Sequence, residues 1–149
     1  MFVHWLFYLL ALFAGALMPA QAIVNNKLAT YVQNPVLSAF FSFVVGTLAL
    51  LLYVLAAGIP LNNLAAVKNA PAISWSGGLY GAFFVTAVVV LVPRIGVALT
   101  FSLLIAGQML ATLPIDHFGI LGAPIREFNL PRLLGVIFVI VGVVLIRRF

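Results

Sequence analysis

A few side chains inside long apolar stretches keep the capacity to exchange hydrogen bonds, and their spacing limits what the chain can do. Gln21 and Asn25 are four residues apart, so they share one helical face just past Pro19. A side-chain amide carries both donors and an acceptor, so such a face can hold and release a polar solute without changing charge. Gln108, beside Gly107, places another amide within about two turns of the middle of a different apolar run. Asn26, Thr47, Thr86 and Thr100 are the remaining hydrogen-bonding candidates. The competing role for any of these groups is a bond to a neighbouring helix, about 0.6 kcal/mol in lipid. Asp116 and His117 form an adjacent acid and imidazole, a candidate proton relay because histidine titrates near neutrality. There is no nucleophile beside a base, no phosphate loop and no cluster with metal-ligand spacing, and the absence of cysteine removes thiolate chemistry. No metal, no cofactor and no enzymatic reaction is expected.

These groups must be positioned by helices in lipid. The 149 residues are 66% hydrophobic and 6% charged, whereas a soluble domain is about half apolar and a quarter charged. A helix needs about 20 residues to cross the hydrocarbon, and five apolar stretches nearly exhaust the chain. The expected fold is all-α, a polytopic membrane protein of one five-helix domain over residues 1–149, with membrane lipid as its first partner. The spans are read as residues 2–28, 35–57, 75–92, 95–113 and 132–146. Ala20-Gln21-Ala22 has the small-residue pattern of a signal-peptide cleavage site, but no Lys or Arg precedes the apolar run, so it is read as a span. Trp5 and Tyr8 suit an interface, and Pro19 predicts a kink because it removes an amide donor opposite the Gly15 carbonyl. Trp75 to Leu113 is too long for one crossing, and Pro93, Arg94 and Gly96 supply the hairpin break. Pro114 to Pro131 is then the longest loop and holds both acids, so no Asp or Glu falls within a span.

Seven scattered Lys and Arg residues form no patch for nucleic acid and serve as topology markers. Lys68, Arg126 and Arg132 fall on one face and Lys27, Arg94, Arg147 and Arg148 on the other, a bias too small to fix orientation. Five crossings put the termini on opposite faces, so two oppositely inserted copies form an inverted repeat, an architecture common among transporters. An antiparallel homodimer, or a heterodimer with a paralogue of opposite bias, is therefore expected. A parallel oligomer oriented by Arg147 and Arg148 is the alternative. Ser38, Ser42 and Gly46, then Gly77 and Gly81, then Ala98, Ser102 and Ala106 are small-residue stripes suited to close packing. Gly135 and Gly142, one heptad apart, are the expected dimer seam.

The run from Gly15 through Pro19, Gln21, Asn25 and Asn26 to Leu28 precedes Phe43-Val44-Val45-Gly46-Thr47 and Val92-Pro93-Arg94-Ile95-Gly96. With Ala106-Gly107-Gln108 and Asp116-His117-Phe118-Gly119 added, the chain resembles the YdcZ-like inner-membrane family of the drug/metabolite transporter superfamily over nearly its full length. The resemblance implies a multi-pass carrier of the bacterial inner membrane and one half of the superfamily's five-plus-five inverted-repeat architecture. It singles out Gln21, Asn25, Arg94, Gln108, Asp116 and His117 and transfers no catalytic residue. Unlike the small multidrug resistance carriers, the first span has no glutamate, which argues against proton-coupled export of cationic drugs by that route.

The leading expectation is a secondary transporter or exporter of a small metabolite, working as an antiparallel dimer with a midplane site. Amides suit amino acids and other small polar or amphipathic solutes better than strongly charged ones. A noncatalytic scaffold or accessory subunit of a larger complex is the rival. A passive channel requires a continuous polar stripe that these sparse groups do not supply.

Overall fold

The computed structural model describes residues 2–149. Five α-helices cover most of them: α1 Phe2–Val32, α2 Pro35–Ala56, α3 Gly77–Ile95, α4 Val97–Phe118 and α5 Leu130–Arg148. All five are long and apolar enough to cross a membrane. Two compact units divide the chain, Met1–Pro93 and Arg94–Phe149.

Local chemistry sets the helix ends. At the end of α1, Gln33 takes a positive φ of 53°, and Asn34 then caps α2 by accepting from the amides of Val36 (2.8 Å) and Leu37 (3.2 Å). Pro35, without an amide, occupies a first-turn position where none is needed. Gly58 at φ 62° closes α2, with the Ile59 amide reaching back to the Val54 carbonyl at 3.1 Å. The same amide device recurs at α5, where the Asn129 side chain accepts from the Arg132 amide at 3.0 Å and Pro131 sits in the first turn. Between Pro60 and Ser76 the chain makes two 3₁₀ segments, Leu61–Asn69 and Ala72–Trp75.

Several boundaries depart from the sequence expectation. The first helix extends past Leu28 to Val32, and the third begins at Gly77 rather than Trp75, which lies in a 3₁₀ turn. Pro93 and Arg94, read as part of the hairpin break, lie inside the last turn of α3. Pro93 removes one amide donor opposite the Val89 carbonyl, and the chain nevertheless stays helical for two residues beyond it. The break falls on Gly96 alone, at φ 80° and ψ 162°, a region essentially restricted to glycine. Pro114 likewise does not stop α4, which continues to Phe118 and carries Asp116 and His117 in its last turn. Gly119, left-handed at φ 61°, ends it. Helix α5 is longer than expected at both ends, Leu130–Arg148. Helix α1 runs as one helix through Pro19.

In the first unit α1 packs on α2, and a small core joins α2 to α3. That core contains Ala39, Val85 and Val89, flanked by Ala29 and Phe84. Gly81 lets the Phe43 ring approach, since a Cβ there would lie 3.3 Å from it. In the second unit α4 packs on α5, with Ala106, Val136 and Val143 buried. Among the described residues only eight apolar side chains are buried, and the rest of each helix presents its apolar surface outward, as lipid allows.

Because Gly96 carries the break, Gly96→Ala is expected to cost about 1–3 kcal/mol of stability in detergent unfolding titrations. Gly107→Ala, inside α4 with open space around an added Cβ, is the matched substitution expected to leave the midpoint unchanged or raise it.

Candidate functional site

The α1–α2 hairpin builds the first candidate site. Ala22, Asn25, Ser38 and Ala39 are all buried, small enough or flat enough to let the two helices approach closely. The Ser38 hydroxyl donates to the Asn25 carbonyl at 2.6 Å, an interhelical bond between residues thirteen apart in sequence. One turn back along α1 and one turn on along α2, Gln21 then comes opposite Ser42. A cleft of about 220 Å³ opens there, lined by Gln21, Ser42, Phe43, Gly46, Thr47 and Leu50. Gly46 has nothing within 4 Å of an added Cβ, so its missing side chain widens the cleft.

Gln21 and Thr47, distant in sequence, therefore share one cleft. Asn25 lies one turn further along α1 at 5% exposure, and its backbone carbonyl is the one that accepts from Ser38. The Asn26 amide is committed locally, donating to the Ala22 carbonyl at 3.0 Å. Thr86 is half-buried on α3. Gln108 and Thr100 belong to the other unit. Gln108 is exposed, whereas Thr100 is fully buried with its hydroxyl on the Gly96 carbonyl at 2.6 Å, where it steadies the start of α4.

A second cleft, about 490 Å³, lies between α4 and α5 and is lined by Met109, Thr112, Leu113, Asp116, Arg132, Gly135 and Val136. Asp116 and Arg132 pair across it at 3.4 Å. The connecting loop is tied to the end of α4: the Arg126 amide donates to the Asp116 carbonyl at 2.8 Å, and the Phe128 amide to His117 Nδ1 at 3.3 Å. Asp116 and His117, adjacent in sequence, thus have different partners. Gly135 lines this cleft and Gly142 does not. Among the described residues no three His, Asp or Glu side chains converge to hold a metal.

Two contributors were not singled out from the sequence as site residues. Ser38 was read only as part of a packing stripe, although a hydroxyl one turn into a helix after an Asn-Pro turn is well placed to reach back to the preceding helix. In the sequence Arg132 counts only as a topology marker, and the available signal is its opposite sign to Asp116 across one connection.

The family model described as "Putative inner membrane exporter, YdcZ" matches residues 6–145. The chain belongs to this family. No curated protein and no solved structure matches it. Family membership with five membrane-length helices makes this a multi-pass protein of the bacterial inner membrane, within the drug/metabolite transporter superfamily. Its general role is small-molecule transport.

The natural absence of cysteine makes accessibility directly measurable. In membranes, Gln21→Cys and Thr47→Cys are expected to react with a membrane-impermeant thiol reagent supplied from both faces, while Leu52→Cys, on an exposed apolar position of α2, stays unmodified.

Proposed function

We propose that this protein is a secondary exporter of a small polar or amphipathic metabolite, with Gln21, Asn25, Thr47 and Gln108 as hydrogen-bonding groups along the substrate pathway. The carrying observation is the α1–α2 cleft, where the Gln21 amide of α1 and the Ser42 and Thr47 hydroxyls of α2 border one opening. Uncharged groups of this kind recognise a solute by exchanging hydrogen bonds, and Asn25, one turn from Gln21 on the same helix, adds a second amide beside the cleft. The family's description as an exporter supports the outward direction in this reading.

The working unit is an antiparallel dimer, a homodimer or a pair with a close paralogue, in which two oppositely inserted five-helix chains supply the two halves of a midplane site. Support comes from the odd number of membrane-length helices and from the near balance of Lys and Arg between alternate connections. The Gly135 and Gly142 face of α5 is the contact seam, and both glycines have open space where a side chain would stand.

Proteoliposome flux measured with a panel of amino acids and small polar metabolites tests the pathway. Gln21→Ala and Gln108→Ala are each expected to slow transport about fivefold, the effect of one hydrogen bond of about 1 kcal/mol. Full transport in both variants, and in Asn25→Ala, would overturn the assignment. Absence of any flux, with constant copurification of another protein, would favour the scaffold role instead.

Orientation is checked independently by carboxyl-terminal reporters that are active on only one face. Signal from both faces, or from opposite faces for this chain and a paralogue, is the expected result. A strictly one-sided signal without an oppositely inserted mate contradicts the dimer.

A further inference from the structure

We infer that the α4–α5 cleft binds a zwitterionic amphiphile, a ligand with an ammonium and an anionic group close together on an apolar body. A free α-amino acid with an apolar side chain and an ethanolamine phospholipid headgroup share this chemistry. The site is separate from the amide pathway, and it stands whether or not that pathway carries solute.

The cleft has one polar end and one apolar end. Asp116 and Arg132 stand at the helix ends, and Met109 lies two turns deeper along α4, about 10 Å by helical rise. Leu113 and Val136 continue the apolar wall, and Thr112 adds a hydroxyl. The volume, about 490 Å³, falls in the range of small-molecule sites, about 300–1,000 Å³.

The ion pair is open to exchange. Its 3.4 Å separation exceeds the roughly 2.7–2.9 Å of a tight charge-assisted bond, and about one third of each side chain is exposed (31% and 34%). Such a pair contributes little, so parting it costs little. Arg132 uses one nitrogen, Nη1, for both Asp116 and the Arg126 carbonyl, so Nη2 and Nε have no partner among the described residues. Asp116 likewise engages through Oδ2, leaving Oδ1 without one. A purely anionic ligand would be attracted by Arg132 and repelled by Asp116, and a purely cationic one the reverse. A zwitterion satisfies both, its anionic group on the guanidinium and its ammonium on the carboxylate, with its apolar part directed toward Met109.

Calorimetric titration of the full chain in a non-ionic maltoside detergent tests this with L-leucine and with dihexanoyl phosphatidylethanolamine. Isocaproate and isoamylamine are the single-charge controls for the first, and dihexanoyl phosphatidylglycerol is the anionic control for the second. At least one zwitterion should bind about tenfold more tightly than its single-charge controls, the gain from one additional charge-assisted bond at a partly exposed site. Asp116→Asn should abolish the preference over the anion while improving anion binding, and Arg132→Gln should abolish the preference over the amine. Those opposite shifts cannot come from general loss of folding. Gly135→Leu, filling the cleft where an added Cβ meets nothing within 4 Å, should remove saturable binding. Leucine binding alone identifies a free metabolite, and lipid binding alone identifies a headgroup. No saturable binding in the wild type, equal affinity for all ligands, or parallel shifts in both charge variants would overturn the proposal.

Discussion

In lipid, two apolar helices gain nothing by hiding from water, so the α1–α2 hairpin depends on the close contact at Asn25 and Ser38. Ala22 and Ala39 let the backbones approach, and the Ser38 hydroxyl uses that approach to bond the Asn25 carbonyl. An interhelical bond of this type averages about 0.6 kcal/mol, modest in stability but decisive for register. Moving α2 by one residue would turn its Ser42, Gly46 and Thr47 about 100° away from Gln21. The hydrogen-bonding cleft is therefore a consequence of one small contact at the closed end of the hairpin. The Asn34 cap and Pro35 reinforce it by fixing where α2 begins, three residues before Ser38.

The second unit solves a different problem with the same economy. A charge at the bilayer centre costs about 2.5–3.5 kcal/mol on insertion scales, and here Asp116 and Arg132 stand at the ends of their helices, facing each other. The loop between them is held by backbone amides, from Arg126 to the Asp116 backbone carbonyl and from Phe128 to the His117 imidazole, while the Asp116 carboxylate faces Arg132. The apolar length of each helix is thereby left to uncharged groups. Recognition along it has to proceed by hydrogen bonds and packing, which is why the amides carry the proposed pathway.

Five membrane helices were legible because hydropathy measures the solvent itself, and lipid imposes a minimum length on every crossing. The helix ends were legible where a side chain performs the cap, as at Asn34 and Pro35. They were not legible at Pro93 and Pro114, because a proline near a helix end removes one bond without forcing the chain out of helix. Gly96 and Gly119, with positive φ, are the positions that stop these helices. For the site, the spacing of Gln21 and Asn25 located the right face of α1, yet which α2 residues would meet it depended on the Ser38 contact, a tertiary fact that periodicity does not contain. Periodicity also treated Thr100 like Thr47, although one hydroxyl closes onto the Gly96 carbonyl and the other borders a cleft.

Exposed apolar faces carry little information in a lipid-dissolved protein, and open helical glycines are common in this one, at Gly15, Gly46, Gly77, Gly78 and Gly107 as well as at Gly135 and Gly142. Within a helix a glycine forgoes about 1 kcal/mol relative to alanine in water, and its usual return in a membrane is close contact with another helix. Gly81 obtains that contact from the Phe43 ring, whereas an added Cβ at Gly135 or Gly142 meets nothing within 4 Å among the described residues. Under the proposed pairing, their contact comes from the mate. Gly135 also lines the α4–α5 cleft, so a helix seated on that face would close the cleft's side while leaving its charged end at the membrane surface. Assembly and zwitterion binding would then compete for, or share, the same glycine, and ligand occupancy of the cleft would become a measure of how the two chains are held together.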